Sequence, residues 1–451
     1  MQLSWLVPAC PSGKNRRIEL PGLDLWLLAR IDKIFIYPNE FNRVKFDQAL
    51  TETLSHWPLV TGRFIKAETD RFFIEMSDRP IPVTYLESDD RFAWTDTSPI
   101  VTPLDQNRLE PYIDGVDVLK ISNGSSEEPL VRFKLSKSVS SGQWIMGVSW
   151  SHILGDADAL LQFLSTISRF YQSMDAIPPL PKFDRRLWNE NEADNEFLPM
   201  MKHLTHAGPV LDLFQSYANW NSTFEQVDLF FSGDQLQKLR ELAGGTQVTI
   251  QDSLSAYLIV TLNLHCYKND DQRCIRRANT VVNYRGVSDS IAPVGIVSNA
   301  IMTMLSENFN DPYCLMNVAK EIRRSIVRAR NPEFLQAHLA TADGLLRKIV
   351  EKNFMANWNP FPNEVIINSN FRYDWCSMVD FGHKENCRLF TAWTAPFYFR
   401  IFQSNPRKSG TTQLSRDHHG VEVAFQIEKD TRNKFLQVVE NDQRNGFVDL
   451  K

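Results

Sequence analysis

The sequence predicts a mixed α/β protein of two halves, each with its own sheet of mixed strand direction, joined by a long crossover. Three observations predict this. A strand pair followed by an amphipathic helix completes the first 178 residues; a proline-rich and then charged stretch follows; helices and strands then alternate to the last residue. At 451 residues the chain is too long for one small core, since domains average roughly 150 residues.

Taken in order, Phe46, Leu50, Leu54 and Trp57 recur at helical spacing and mark one face of an amphipathic helix. Leu130–Ser136 alternates apolar and polar residues, Ser140-Ser141-Gly142 makes a turn, and Trp144–Trp150 is a second apolar run: a β-hairpin. The next helix carries Leu160, Leu161, Leu164, Ile167, Phe170 and Tyr171, with Asp156 placed to cap its start. Prolines 178, 179 and 181 then break regular structure, and residues 179–222 read as the crossover. Beyond it, a helix over 233–243 ends at Gly244-Gly245 and a second covers 249–264. Strands are expected at Val281–Asn283, Val365–Ile367, Phe397–Phe402 and Val421–Ile427. No repeat of 20–50 residues is visible, which excludes solenoids and propellers.

Composition narrows the function. Hydrophobic residues at 43% and charged residues at 23% describe a chain that folds around an extensive core. A net charge of −5 gives no basic surplus for a nucleic-acid backbone. The six cysteines form no CxxC pair, which suits a reducing compartment and excludes a disulfide framework or a structural zinc site. The first residues make a poor secretory signal, and Ala256–Val260, the longest other apolar run, is far too short to span a bilayer. The expectation is a cytoplasmic monomer without a membrane span.

Chemistry concentrates at Ser149-Trp-Ser-His152-Ile-Leu-Gly-Asp156-Ala157, directly after a strand and before a helix. Such a junction holds a side chain rigidly while leaving it open. A neutral imidazole there takes a proton from a hydroxyl or amine as that group attacks an acyl carbon. The chain has no G-x-S-x-G, so a covalent serine intermediate is not indicated. Asp156 either orients the His or faces a basic residue and pins the loop.

The stretch His152-Ile-Leu-Gly-Asp156, together with Asp380-Phe381-Gly382, resembles the HxxxDG and DFGWG signatures of the BAHD acyl-CoA-dependent acyltransferases. Further similar blocks follow in the family's order: Pro58–Arg63, Glu128–Leu130, Thr249–Ala256, Val282–Arg285 and Gly420–Val423. The resemblance implies two chloramphenicol-acetyltransferase-like domains with a channel between them. The first would span residues 1–178, completed by about 380–404, and the second 223–379 and 405–451. It also implies His152 as general base, acyl-CoA as co-substrate, a small-molecule acceptor, and no permanently bound cofactor or metal. Asp156 would point away from the channel and pair with Arg285, while Asp380 and Gly382 would be structural. Ser369 stands where relatives carry a hydroxyl that contacts the oxyanion or the acceptor; a local backbone bond is the other reading of that hydroxyl.

The chain departs from the pattern at Ala157, where the family has Gly, and at His383-Lys384, where it has Trp-Gly. Ala157 keeps open a non-catalytic accessory protein on the same fold, and a carrier-protein condensation domain shares the fold as well. Asp417-His418-His419 reads as a polar turn before a strand rather than a metal site. Arg323, Arg324, Arg328 and Arg330 form a basic helix face, either solvated or attracting coenzyme A phosphates.

Overall fold

A computed structural model describes residues 1–38, 41–67, 71–88, 98–101, 108–268, 270, 272–408 and 414–448. Two large mixed sheets dominate them. The seven-stranded sheet runs in the order Gln2–Leu6, Ile81–Ser88, Val131–Ser138, Trp144–Ser151, Arg30–Tyr37, Arg388–Ala392, Ile100–Val101. The six-stranded sheet runs Phe224–Phe231, Val421–Glu428, Tyr398–Gln403, Glu364–Ser369, Arg277–Asn283, Ile301–Leu305. A small three-stranded sheet, Arg16–Glu19, Phe72–Met76 and Arg63–Lys66, flanks the first.

The hairpin expected around Gly142 is present, with Val131–Ser138 and Trp144–Ser151 antiparallel and Leu135 facing Met146. Alternation along these strands buries Val131, Phe133 and Leu135 with Met146, Val148 and Trp150. They lie beneath the helices Arg43–His56 and Ala157–Tyr171, whose apolar stripes supply Phe46, Leu50, Leu54, Leu160, Leu164 and Ile167. Helix Ile250–Thr261 is buried on every face and centres the second core, between its sheet and helices Gly233–Leu242 and Leu315–Arg328.

Two expectations change. The crossover is not irregular throughout: it contains the helix Val210–Ala218, with Leu213 buried and Leu211 and Phe214 exposed. The segment 380–404 divides between the sheets. Its first strand, Arg388–Ala392, joins the first sheet beside Arg30–Tyr37, whereas Tyr398–Gln403 pairs with Glu364–Ser369 and Val421–Glu428 in the second. The physical reason is the break at Ala395-Pro396, which lies in no strand and lets the chain cross from one sheet to the other.

Lys33, on the strand Arg30–Tyr37, is 1% exposed. Its Nζ lies 4.8 Å from the ring centroid of Trp375 and 4.7 Å from that of Phe402. Burial, and secondarily the Arg400 charge, pull its pKa well below the usual lysine value. Between its lowered folded pKa and the ordinary lysine value the unfolded chain binds more protons than the folded one, so stability rises as pH climbs through that range. Lys33→Met is expected to raise stability at neutral pH by about 1–3 kcal/mol and to flatten this dependence. Thermal melts of both proteins across pH check it; a lower melting midpoint for the variant at pH 7 contradicts it.

No helix among the described residues is long and apolar enough to cross a membrane.

Candidate active site

His152 follows the last residue of the strand Trp144–Ser151, which sits inside the first sheet between two neighbours. The strand's register carries on for one residue, His152 N–H donating to Ala29 O at 3.0 Å. The chain then turns sharply. Gly155 has φ +148°, and a Cβ at this position would stand 2.9 Å from Ser298 O, so only glycine lets the loop lie this close to the backbone at Ser298. Trp150 Nε1 donates to Gly155 O at 2.9 Å and fixes the turn from beneath.

Asp156 caps the helix that follows, its Oδ1 accepting from Asp158 N and Ala159 N at 3.1 and 3.2 Å. The same carboxylate takes a fork from Arg285, Nη1 to Oδ2 at 2.8 Å and Nη2 to Oδ1 at 3.0 Å, and accepts Ala300 N at 3.0 Å. Both side chains are nearly sealed, at 2% and 6% exposure. Burial works against the charge of Arg285, but Asp156 and Asp158 outweigh it and raise its pKa. A helix cap, the Ala300 amide and an ion pair to a residue 129 positions along the chain therefore meet on one carboxylate. Ala157 opens the helix, partly buried against the first core.

A residue that sequence reasoning missed touches the imidazole. Asn299 Oδ1 lies 2.8 Å from His152 Nδ1. The amide can face only one way, because Asn299 Nδ2 donates to His152 O at 2.8 Å and to Asp24 Oδ1 at 3.0 Å. Turning it over would set its oxygen against a carbonyl and a carboxylate. Its oxygen therefore faces the ring, His152 carries its proton on Nδ1, and the lone pair resides on Nε2. Burial lowers the imidazole's pKa, opposed by Asp156 and the Asn299 bond, which favours the neutral ring at neutral pH.

Aromatic rings continue outward from the His. Trp26 lies 6.3 Å from it, Trp358 stacks 6.1 Å beyond Trp26, and Trp393 and Tyr398 meet Trp358 edge-on. Trp26, Trp358 and Trp393 are each partly exposed.

The other anticipated residues are held by contacts of their own. Asp380 Oδ1 accepts Gly382 N and His383 N at 2.7 and 2.8 Å, and Asp380 O accepts Ser168 Oγ from the helix Ala157–Tyr171 and Nε2 of Gln172, which follows that helix. Gly382 has φ +104°, a turn that favours glycine. Phe381 plugs the first core, edge-on to Tyr171 at 4.9 Å and Tyr37 at 5.6 Å. Ser369 ends the strand Glu364–Ser369, its Oγ accepting Phe371 N at 3.3 Å. On the basic helix, Arg323 faces Asp252, Arg324 faces Glu321 and Arg328 faces Glu307. Asp417 accepts Gly233 N, and His418 meets Glu385 at 2.9 Å. Among the described residues, no group of three or more His, Cys, Asp or Glu is arranged to hold a metal.

The structure of vinorine synthase superposes with TM-score 0.63 at 15% identity, covering 95% of this chain and 94% of that one. F. graminearum TRI101, complexed with coenzyme A and T-2 mycotoxin, gives 0.62 at 15% identity, covering 95% and 98%. The starter condensation domain of rhizomide synthetase RzmA gives 0.52 at 12%, covering 96% of each chain. At these identities the likeness establishes the fold, two chloramphenicol-acetyltransferase-like domains. No curated protein sequence matches the chain. A family model described as the Transferase family matches residues 2–384, and with that extent the chain belongs to this family, the BAHD acyltransferases.

Proposed function

We propose that the protein moves an acyl group from acyl-CoA to a hydroxyl or amine of a small-molecule acceptor, with His152 as general base. The acceptor's oxygen or nitrogen attacks the thioester carbonyl while His152 Nε2 takes its proton. The tetrahedral intermediate then collapses, the C–S bond breaks, and the imidazolium returns the proton to the departing thiolate as free coenzyme A. The observation that carries this reading is the Asn299 contact, which leaves the basic lone pair on Nε2. Coenzyme A in the TRI101 complex supports the donor class.

Ser369 keeps its own hydroxyl proton while accepting from Phe371, and we assign it to the oxyanion. Asp156 and Arg285 hold the loop, and Asp380 and Gly382 hold the turn packed on the helix after it. The aromatic rings beyond His152 suit an apolar acceptor. The accessory-protein reading rests on Ala157, which is the first residue of a helix that Asp156 still caps.

The test is release of free thiol from a panel of acyl-CoA donors with hydroxyl and amine acceptors. Turnover is expected with at least one pair; acyl-CoA binding without turnover for any acceptor returns the accessory protein. For an active pair, kcat/KM should fall on the acid side with an apparent pKa below the ordinary histidine value of 6.5, because only the neutral ring accepts a proton. An acid limb above 6.5 contradicts the role given to this imidazole.

A further inference from the structure

Behind the Asn299 amide lies a charged pair that the reaction itself does not use. Asp24 Oδ1 accepts both Asn299 N and Asn299 Nδ2, at 2.7 and 3.0 Å. Its Oδ2 stands 3.2 Å from Arg185 Nε, and both side chains are 1% exposed. Arg185 also donates from Nη2 to Leu154 O at 2.8 Å, within the His152 loop, and from Nη2 and Nε to Val297 O at 2.9 and 3.1 Å, two residues before Asn299.

Each partner comes from a different part of the chain. Asp24 ends a short turn, Gly22–Asp24, docked against helix Pro332–Glu351, where a Cβ on Gly22 would lie 2.1 Å from Asp343 O. Arg185 arrives on the crossover, which bridges to the segment before Asn299: Lys182 N–H donates to Gly295 O and Val297 N–H to Lys182 O, each at 2.9 Å. Gly295, at φ +87°, makes that approach possible, since a Cβ there would meet Leu180 O at 2.7 Å.

We propose that Asp24 and Arg185 are positioning residues that lock the Asn299 amide in one orientation and thereby hold His152 in the tautomer with its lone pair on Nε2. This rests on the reading of His152 as general base. The argument is one of polarity. A carboxylate tolerates only donors, so it selects the NH₂ end of the amide; the oxygen end is forced toward the imidazole, and an oxygen there selects a protonated Nδ1. Without the carboxylate only the His152 carbonyl still selects the NH₂ end, so the turned-over amide, donating to Nδ1, gains population; that moves the proton to Nε2 and leaves no base facing the acceptor. Burial raises the pKa of this carboxyl, and the Arg185 charge and the two Asn299 N–H bonds work against that rise, favouring the carboxylate. A purely stabilising role explains the pair less well, because packed apolar side chains serve stability as well as a buried ion pair does. Substrate binding does not explain it either: the adjoining cavity, lined by Asp24, Arg185, Tyr284 and Asn299, has about 20 Å³, room for one water molecule.

The test is nitrogen-15 NMR of the full chain with labelled histidine, His152 being assigned by the signals missing from His152→Gln. In the unmodified protein the Nδ1–H tautomer is expected, and finding Nε2–H overturns the proposal. In Asp24→Ala, Nε2–H should become populated, and kcat for an active donor–acceptor pair should fall about tenfold to a hundredfold with KM for acyl-CoA within about twofold. Asp24→Asn, which keeps the side chain's shape but presents either amide end, should show the same change to a lesser degree if the alanine variant does not fold. A wild-type tautomer in whichever Asp24 variant folds also overturns the proposal. Should His152→Gln be inactive while the Asp24 variants keep the wild-type tautomer, His152 stands as base and Asp24 is removed from its service. Should His152→Gln stay active while the Asp24 variants switch tautomer, the lock stands and the general-base reading falls.

Discussion

His152→Gln is expected to lower kcat by about 10²–10⁴-fold while leaving acyl-CoA binding intact. A positioned base contributes that much, because the attacking hydroxyl would otherwise have to lose its proton to water during attack. Glutamine keeps polar atoms in the site but cannot accept and return a proton near neutral pH. The ring makes few structural contacts: one hydrogen bond to Asn299 and an aromatic neighbour in Trp26. The backbone bonds of the loop, His152 N to Ala29 O and Asn299 Nδ2 to His152 O, do not involve the side chain. The variant should therefore melt within a few degrees of the parent and still be raised in melting temperature by acyl-CoA. Thiol release measured beside that thermal shift separates a lost base from a lost fold, and undiminished turnover removes His152 from the mechanism.

The local pieces of this site were legible in the sequence because each is written within a few residues. The strand before His152 and the cap at Asp156 follow one another, and an apolar run and an acidic cap each leave a signature. What surrounds the imidazole left none. Asn299 lies 147 residues from His152, and Asp24 lies 275 residues from Asn299, so no spacing rule connects them. One signal was available: Asp24 stands alone in the apolar run Leu23-Asp-Leu-Trp-Leu-Leu28, and a carboxylate buried in such a run must have a partner elsewhere. The division of 388–403 between two sheets was hidden for a similar reason. Both strands look alike as apolar runs, and which sheet a strand joins is decided by long-range pairing, not by its own pattern. The helix Val210–Ala218 was masked by the prolines before it.

Asp156→Ala is expected to bring the largest loss of stability, about 3–5 kcal/mol, because it strips several buried groups at once. Helix Ala157–Tyr171 loses its cap, worth about 1 kcal/mol. Ala300 N loses its acceptor inside the protein, and Arg285 loses both prongs of its fork. Arg285 is not wholly stranded, since Asp158 Oδ2 remains 3.5 Å from its Nε and Ser298 O accepts its Nη2. Those residual partners set the direction of a second result. Removing Arg285 as well, in Asp156→Ala/Arg285→Met, takes away a buried cation that has lost its main anion, so the double variant should be destabilised by less than the sum of the two singles. A coupling of at least about 1 kcal/mol is the expected size for two residues sharing a fork in a sealed site. Thermal or denaturant melts of the four proteins measure it, and strict additivity means that Asp156 acts only as a helix cap. Activity carries the same information along another axis. If the pair holds the loop that aims His152, each folded single variant should lose kcat at temperatures well below its melt, with KM for acyl-CoA little changed. Full kcat in a folded Arg285→Met protein would separate the stability of this loop from the chemistry it presents.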